Sequence, residues 1–406
     1  MANILVLGAG VYQIPVIECI HRMGHRAIVA SIPGNYPGFA LADEVVYEDT
    51  RNKEALLEVA RDRNVRAVLT AGTDVAIPSM GYICEHLGLP GIDARTGVLS
   101  TTKINMKQAF MDAGVSTAEF YTVPVDASLD ECREVAQRIG YPVICKAVDS
   151  SGSRGCVCVE EPGHMAAALA EVREVTSNDH FIIEKYLVGI EFGMQLFMQH
   201  GELKLAMTHG DYVSPGATSV PMGHYVPYGD KALAKAATEE SVKAARAVGI
   251  GEGAVNVDAI LCDDKVYIIE IGARAGATLL PELVCVRYGF DYYQAIVDCA
   301  LGNEVTVPAE TDACSAAMVL CPNRAGTIVS VDHMPKVAGD VQVASLDVGA
   351  GDTVRQFHVG PDRIGQILAV GDTLDAAEAT LHAAQDSIRI TMDDGAPLDW
   401  LEPKRV

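Results

Sequence analysis

The sequence of 406 residues lacks several features that would define its class directly. Its 11 cysteines form no Cys-x-x-Cys pair, and the closest two are Cys156 and Cys158, which argues against a zinc or disulfide framework. No apolar run reaches the roughly 18 residues of a membrane span. The first residues, MANILVLG, lack the charged segment and cleavage site of a secretory leader. We therefore expect a cytoplasmic protein with reduced thiols and no membrane partner.

Positive charge is also scarce in this chain. There are 31 lysines and arginines against 54 acids, a formal net charge of −23. Such an acidic surface repels phosphate backbones and anionic lipids, so a nucleic acid or an anionic membrane is not expected as a partner. Hydrophobic residues make up 49% of the chain, enough for large cores, and the length predicts about two to four domains.

The first hundred residues alternate short apolar strands with helices, which is typical of a doubly wound parallel sheet. The first predicted strand ends at Gly8-Ala9-Gly10. The dinucleotide fingerprint fails here, because Gln13 replaces its third glycine and Ser31 replaces the acid after the second strand. The turn is then either a tight connection or a helix N-terminus facing a substrate anion. A second polar loop, 70–74, follows a later strand at the sheet end where ligands bind.

A lysine among hydrophobic residues marks the middle of the chain. Lys146 lies on the predicted strand 141–147, which leads into the polar loop 149–155. Backbone N–H groups of such a loop can wrap phosphate oxygens while the ammonium adds charge. The loop is not a Walker A motif, and the alternative is an ordinary hairpin whose lysine reaches solvent. The later segment 210–227, rich in Gly and Pro, is predicted as a long functional loop.

Two carboxylates stand out on a predicted hairpin of strands 254–262 and 266–271. With a three-residue turn at 263–265, Asp258 faces Glu270, and Asn256 faces Gly272, on one side of the hairpin. A two-residue turn would send the two acids to opposite faces. Adjacent carboxylates repel unless a cation neutralises them, and Mg²⁺ prefers this donor set. The alternative is a surface hairpin whose acids point to water.

Four motifs in this order resemble the ATP-grasp superfamily over roughly residues 1–310. They are Lys103 with its helix, Lys146 with the Gly/Ser loop, Glu184-Lys185-Tyr186-Leu187, and Asp258 with Glu270-x-Gly272-x-Arg274. The segments 222–227 and 274–283 look most like the L-amino-acid ligases, in a branch that also holds biotin carboxylase and the carbamoyl phosphate synthase large subunit. The tail from about residue 312 resembles the capping domain of these ligases; the alternative is a separately functioning module.

This resemblance implies an α/β fold of three parts. The first is a preATP-grasp domain over 1–100 with a doubly wound parallel sheet. The second is an ATP-grasp α+β domain over 101–311, with a small lobe over about 115–187 and a large lobe over about 188–311. The third is a small α/β C-terminal capping domain over 312–406.

The resemblance also implies ATP and Mg²⁺, with Mn²⁺ as an alternative metal, and it assigns roles to individual residues. Lys103 and Lys146 would contact the phosphates of ATP, and Gly152, Ser153, Arg154 and Gly155 would form a lid over them. The backbone of the hinge residues Glu184, Lys185, Tyr186 and Leu187 would read adenine. Glu191 would contact the ribose. Asp258 and Glu270 would hold the metal.

Beyond the nucleotide, Arg274 would steady an acyl phosphate and a tetrahedral intermediate. His224 and Gly276 would contact the substrate. The family usually has Asn as a metal ligand at the position of Gly272. We expect Asn256, on the neighbouring strand, to reach into the space that Gly272 leaves and to bind the metal or a water held by the metal; the alternative is that Asn256 only hydrogen-bonds a neighbouring group.

The function implied is ATP-dependent ligation of a small-molecule carboxylate and an amine. The carboxylate attacks the γ-phosphate, and an amine then attacks the acyl phosphate to give a dipeptide-like amide. One alternative is a carboxylase or carbamoyl-phosphate-type enzyme that uses bicarbonate. Another is a nucleotide-binding regulatory protein without turnover. A homodimer is left open.

Overall fold

The computed structural model describes residues 1–149, 155–215 and 220–406, and its N-terminal part is a parallel sheet. The strands are β1 (Asn3–Leu7), β2 (Arg26–Ser31), β3 (Glu44–Tyr47) and β4 (Val65–Leu69). The helices are α1 (Ile14–Arg22), α2 (Lys53–Asp62), α3 (Ile77–Leu87) and α4 (Ala94–Leu99). The order β3-β2-β1-β4 makes β1 and β4 neighbours. Their carboxyl-end loops, which begin at Gly8 and Thr70, therefore lie side by side.

A separate four-stranded antiparallel sheet carries Lys146. Its strands are β5 (Phe120–Pro124), β6 (Val143–Ala147), β7 (Cys156–Val159) and β8 (His180–Lys185), in the order β5-β8-β6-β7. The helices around it are α5 (Lys103–Asp112), α6 (Leu129–Ile139) and α7 (Met165–Val175). Ser128 and Glu131 form a capping box that begins α6. Three predicted lid residues, Gly152, Ser153 and Arg154, lie outside the described residues.

The largest sheet has nine strands and continues past the predicted boundary at residue 312. Its strands are β9 (Ile190–Gln199), β10 (Glu202–Val213), β11 (Pro221–Val226), β12 (Gly253–Cys262), β13 (Lys265–Gly272), β14 (Cys314–Val319), β16 (Val341–Leu346), β18 (Gly365–Gly371) and β20 (Lys404–Arg405). The main path is β13-β12-β9-β10-β11-β14-β18-β16, with β20 on β10. The proposed division at 312 thus separates strands of one sheet, since Gly223 in β11 pairs with Met318 in β14.

Helices cover the faces of this sheet, and a small second sheet completes the C-terminal part. The elements are α8 (Lys231–Val248), α9 (Leu280–Tyr288), α10 (Tyr292–Ala300), β15 (Gly326–His333), β17 (Thr353–Val354), α11 (Leu374–Ser387) and β19 (Arg389–Met392). Strands β17, β15 and β19 pair in that order, and Thr373 caps α11. Across the described ranges, no helix combines the length and the apolar character that crossing a bilayer requires.

Strand alternation on β12 decides which side chains face α8. Val255, Val257 and Ala259 belong to the core built on α8. Asn256 and Asp258 alternate with them and so project to the opposite face, on which α9, α10 and the N-terminal sheet are packed. The polar side chains of β12 therefore point towards the junction between the large sheet and the N-terminal sheet.

The predicted loop over 210–227 is wrong in its extent, because β10 continues to Val213 and β11 begins at Pro221. The glycines that suggested a loop are in paired strands. A Cβ at Gly210 would lie 2.1 Å from the ring of Tyr225, and one at Gly223 would lie 2.1 Å from the carbonyl oxygen of Ala317. These glycines permit close packing within the sheet rather than a turn.

The hairpin that carries the two acids has the predicted pairing but not the predicted turn. Cys262 pairs with Lys265, so the turn consists of Asp263 and Asp264 alone, with φ of 49° and 58°. Further along, Ala259 pairs with Ile268 and Asp258 pairs with Glu270, which leaves Ile269 as an extra residue. This β-bulge restores the register that the shorter turn would have shifted. The pairing of the acids is confirmed, and the three-residue turn is wrong.

Candidate active site

Asp258 and Glu270 pair across β12 and β13 and form the acidic centre of the site. Burial, and then the charge of Glu270, raise the pKa of Asp258 to about 6. Lys103 lies near this pair, with its Nζ 3.5 Å from Glu270 Oε2. The charge of Glu270 makes ionisation of Asp258 more costly, and two adjacent carboxylates are the oxygen donors that a hard divalent cation prefers. The residues present therefore fit Mg²⁺.

The side chain of Asn256 lies on the predicted face, but its Nδ2 atom, and not its oxygen, is directed towards Asp258. Its Nδ2 donates to Asp258 Oδ1 (3.2 Å), and its Oδ1 accepts from Gln195 Nε2 (2.7 Å). Gln195 is oriented by the backbone N–H of Gly276, which can only donate, to Gln195 Oε1 (3.1 Å). The oxygen of Asn256 is therefore engaged, and the expected metal-ligand role does not fit this arrangement. Asn256 instead orients Asp258.

Gly276, expected at the substrate, has a packing reason to be glycine. A Cβ there would lie 2.5 Å from Leu280 Cδ1 and 3.0 Å from Asn256 Oδ1. A larger residue would push Asn256 or Leu280 aside. The structure thus connects Gly276 to the hydrogen bonds that orient Asp258, and its contact with a substrate stays a prediction.

His224 belongs to a cluster with His209 and Asp211 beside the acid pair. Both histidine Nδ1 atoms lie near Asp211 Oδ1, at 3.0 Å for His209 and 2.6 Å for His224. Burial alone would raise the pKa of Asp211, but the charge of His224 and the hydrogen bonds from both histidines lower it. The ring of His209 lies over Gly193, where a Cβ would be 2.1 Å from a ring carbon. Sequence reasoning missed Asp211, although His-x-Asp on a strand places both side chains on one face.

On the side of the site opposite the Asp258–Glu270 pair, the buried acid Glu184 lies between two lysines. Glu184 pairs with Lys146 through Oε1 and with Lys107 through Oε2, the latter at 2.7 Å. Burial alone would raise the pKa of Glu184, but the charges of Lys146 and Lys107 lower it. Glu184 therefore holds the two lysines in place, and the reading of adenine by the backbone of this segment stays a prediction. Lys107 was not predicted, although its position four residues after Lys103 on α5 was a signal.

The remaining hinge residues are arranged around an exposed apolar surface. Tyr186, Val188 and Ile190 are 38%, 72% and 54% exposed. Lys185 turns away and donates to the carbonyl of Gly140 (2.8 Å). Exposed apolar groups at a cleft suit a flat aromatic ligand such as adenine.

Other predicted nucleotide contacts flank this surface. Glu191 is an exposed residue at the start of β9, and desolvation raises the pKa of its carboxylate. Gly155 closes the described edge of the predicted lid, and its carbonyl accepts from Ala147 N–H at 2.9 Å. Leu187 lies between β8 and β9, in the hinge itself. The ribose, lid and hinge roles of these residues stay predictions.

Arg274 is held by the N-terminal part of the chain. Its Nε and Nη2 donate to Asp74 Oδ1 and Oδ2, both at 2.9 Å. The surrounding loops also meet, because Ala71 pairs with Ala275 and Gly72 N–H donates to the Ala275 carbonyl (3.2 Å). The site is therefore built from the N-terminal loop 70–74 as well as from the large sheet. Asp74 was not singled out by sequence reasoning.

Comparisons with known proteins give matches along most of the chain. A family model described as ATP-grasp domain matches residues 101–278, and one described as L-amino acid ligase C-terminal domain 2 matches residues 318–393. A formate-dependent phosphoribosylglycinamide formyltransferase of Synechococcus sp. (strain WH7803) is 25% identical over 97% of this chain and 99% of that protein.

Two solved structures share the architecture. The phosphoribosylglycinamide synthetase from Anaerococcus prevotii superposes with a TM-score of 0.85 at 29% identity, covering 97% of this chain and 100% of that one. The L-amino acid ligase from Bacillus licheniformis superposes with a TM-score of 0.79 at 19% identity, covering 97% and 99%. These matches confirm the predicted α/β ATP-grasp fold, and the boundaries of its three parts stay a prediction.

Replacement of Glu184 tests whether this buried acid holds Lys107 and Lys146 in place. Glu184→Gln should lower the free energy of unfolding by about 3–5 kcal/mol, because two buried ammonium groups lose their partner. It should also weaken ATP binding, since both lysines are released. Urea denaturation and nucleotide titration measure the two effects. Glu171→Gln, an exposed position on α7, is the matched control. A Glu184→Gln protein as stable as the control would contradict the assignment.

The raised pKa of Asp258 gives a pH prediction for the metal. Since its folded value of about 6 lies above the ordinary 3.8, metal-free stability should fall as the pH rises through this interval. A divalent cation needs the ionised form, so Mg²⁺ should raise the melting temperature clearly above about pH 7 and progressively less below about pH 6. Asp258→Asn should abolish this pH-dependent shift. An equal Mg²⁺ effect at about pH 5 and pH 7.5 would rule out Asp258 as the titrating ligand.

Proposed function

We propose that this chain, which belongs to the ATP-grasp ligases, joins a small-molecule carboxylate to an amine through an acyl phosphate. The observation that carries the proposal is the pairing of Asp258 with Glu270 on one face of a hairpin, with Arg274 just beyond them. Lys103 Nζ lies 3.5 Å from Glu270 Oε2, and the Glu184-bound Lys146 is close enough to interact with the charge of Glu270. These contacts support a site in which the lysines bind phosphates and the two acids bind the metal.

Each residue then has a part in phosphoryl transfer. Lys103 and Lys146 bind the phosphates of ATP, and Asp258 and Glu270 hold Mg²⁺, which neutralises phosphate charge when bound. The substrate carboxylate attacks the γ-phosphorus, and ADP leaves. Most of the catalytic effect comes from positioning and charge neutralisation, because the protein forms no covalent bond.

The second step is attack of the amine on the acyl phosphate. Arg274 stabilises the negative oxygen of the tetrahedral intermediate, and phosphate leaves as the amide forms. Asp211 engages Nδ1 of His224, so Nε2 is the ring nitrogen left for a substrate. We assign His224 to the substrate on this basis.

Amino acids are the preferred substrates in this proposal, and the product is a dipeptide-like amide. The support is the match of residues 318–393 to an L-amino acid ligase C-terminal domain. A second candidate is formate as the acid and phosphoribosylglycinamide as the amine. The full-length similarity to a formate-dependent phosphoribosylglycinamide formyltransferase favours it. Both candidates use the same acyl phosphate chemistry and differ only in the two substrates.

A substrate matrix tests the function. Purified protein with ATP and Mg²⁺ is given pairs of amino acids, formate with phosphoribosylglycinamide, or bicarbonate, and phosphate release is followed with mass spectrometry of products. Amino-acid-dependent phosphate release with a new amide mass is expected. Product only from formate and phosphoribosylglycinamide would favour the second candidate. Bicarbonate-dependent turnover, or ATP binding without ADP formation in every pair, would overturn the proposal.

Removing the charge of one metal-binding acid should lower the activity without unfolding the protein. Glu270→Gln should lose most of its activity, about a hundredfold or more, because a metal-binding charge is removed from an otherwise formed site. Its melting temperature should stay close to the original value. Glu202→Gln, an exposed acid at the start of β10, is the control. An unchanged Mg²⁺ dependence of the Glu270→Gln rate would refute the metal assignment.

A further inference from the structure

A row of residues crosses three strands of the large sheet beside the acid pair. Asp258 on β12 lies opposite Gly193 on β9, and Gly193 lies opposite His209 on β10. Directly opposed residues project to one face, so His209 is on the face that carries Asp258. Gly193 has no side chain, and a Cβ there would overlap the ring of His209. The ring of His209 therefore lies over β9, between its own strand and that of Asp258.

The neighbouring row contains Gln195, which is fully buried on β9 and lies opposite Asn256 on β12. Its Oε1 accepts from Gly276 N–H (3.1 Å), and one N–H of its amide donates to Asn256 Oδ1 (2.7 Å). Its second N–H lies between the carbonyl oxygen of Met194 (3.1 Å) and Nε2 of His209 (3.4 Å). The oxygen and both N–H groups of this amide are thus engaged.

These partners determine which nitrogen of His209 carries the proton. The amide nitrogen of Gln195 can only donate, so Nε2 of His209 is the acceptor in their contact. The ring proton is then on Nδ1, which lies 3.0 Å from Asp211 Oδ1. Burial lowers the pKa of His209, which favours this neutral ring. Hydrogen bonds therefore lead from Asp211 through His209 to Gln195.

The same hydrogen bonds continue to the acid pair in one direction. Because Gln195 gives its N–H to Asn256 Oδ1, Asn256 directs its own Nδ2 to Asp258 Oδ1 (3.2 Å). An amide turned over at Gln195 or Asn256 would bring two donors or two acceptors together. The N–H of Gly276 excludes that arrangement, since it requires the oxygen of Gln195. The orientation of Gln195 therefore decides what Asp258 receives.

We propose that Gln195 and His209 are positioning residues for the metal-binding acid Asp258. His209 holds the amide of Gln195, and Gln195 holds Asn256 in the orientation that donates to Asp258. Polar groups that hold a metal-binding carboxylate are part of the metal site, although they do not touch the metal. The inference rests on the proposed metal-dependent function.

The arrangement gives Asp211 two tasks in the proposed reaction. Its Oδ1 accepts from Nδ1 of His224, which is assigned above to the substrate, and from Nδ1 of His209. One carboxylate thus orients a residue on the substrate side and, through His209, a residue on the metal side. The two sides of the site share a single series of hydrogen bonds.

The tautomer of His209 tests the direction of these hydrogen bonds without metal or turnover. In protein labelled at histidine, nitrogen and carbon chemical shifts distinguish a ring with the proton on Nδ1 from one with the proton on Nε2. Loss of one set of signals in His209→Asn identifies the residue. A neutral ring with its proton on Nδ1 is expected at about pH 7.5. A proton on Nε2 would prevent His209 from accepting from Gln195 and would overturn the proposal.

Mn²⁺ affinity tests the effect on the acid. Free Mn²⁺ is measured by electron paramagnetic resonance in the presence of ADP. Gln195→Leu should weaken Mn²⁺ binding about tenfold, because Asn256 loses the partner that orients it. Gln199→Leu is the matched control, since this buried amide on the same face of β9 also has two hydrogen bonds to backbone groups, at Asn303 and Val305.

Two outcomes of this measurement have different meanings. A Gln195→Leu protein that binds Mn²⁺ as tightly as the Gln199→Leu control would overturn the positioning role. An unsubstituted protein without Mn²⁺ affinity would instead overturn the proposed metal-dependent function on which the inference rests. The tautomer of His209 is measured without metal and keeps its meaning in both cases.

A double-variant cycle tests whether His209 acts through Gln195. His209→Ala alone should weaken Mn²⁺ binding about threefold or more, and it should have no further effect when Gln195→Leu is already present. An equal loss in both backgrounds would show that His209 acts by another route, and its positioning role would be wrong. Thermal denaturation identifies any variant that fails to fold, and Gln195→Met and His209→Asn then replace it in the cycle.

Gly193→Ala displaces the ring without removing a polar group. The added methyl group would occupy the place of the His209 ring, so Mn²⁺ affinity should fall to about the value of His209→Ala. The His209 signals should also lose the shifts of a ring fixed with its proton on Nδ1. Unchanged affinity and unchanged signals in Gly193→Ala would contradict the position assigned to this ring.

Discussion

The repulsion between Asp258 and Glu270 is the constraint on which the rest of the site depends. The two acids pair on one face of a hairpin, and the pKa of Asp258 is raised to about 6 by burial and by Glu270. Three neighbours offset part of that charge: Asn256 donates one hydrogen bond to Asp258, the charge of Arg274 lowers the pKa of Asp258, and Lys103 Nζ lies 3.5 Å from Glu270. A divalent cation bound as proposed would neutralise the charge of this acid pair.

On the other side of the site, buried positive charges are neutralised in part by an acid. Lys107 and Lys146 are buried cations, and Glu184 between them neutralises one charge of the two. Burying both lysines without that acid would cost several kcal/mol per charge. The site thus has a positively charged side, formed by Lys107 and Lys146 with Glu184, and an acidic side, formed by Asp258 and Glu270. Nucleotide phosphates are complementary to the positive side, and a divalent cation is complementary to the acidic side.

Much of the fold was predictable, and the failures have physical causes. Alternating apolar segments and the order of the lysine and acid motifs led to the correct architecture, because period and spacing are local properties. The 210–227 loop was wrong because Gly210 and Gly223 serve close packing in a sheet, which a single sequence does not distinguish from a turn. Asp74 could not be placed, since its contact with Arg274 joins residues 200 positions apart.

The acid pairing was predicted correctly from an incorrect turn, which shows what determines the register. On the α8 side, β13 buries Val266 and Ile268 and then, after the bulge at Ile269, Ile271. The buried positions change from even to odd numbers at that residue. Without the bulge, Glu270 would face Val257 and enter the apolar core against α8, at a cost far above that of a bulge. Burial of the apolar face therefore fixes the register, and the bulge reconciles it with the two-residue turn.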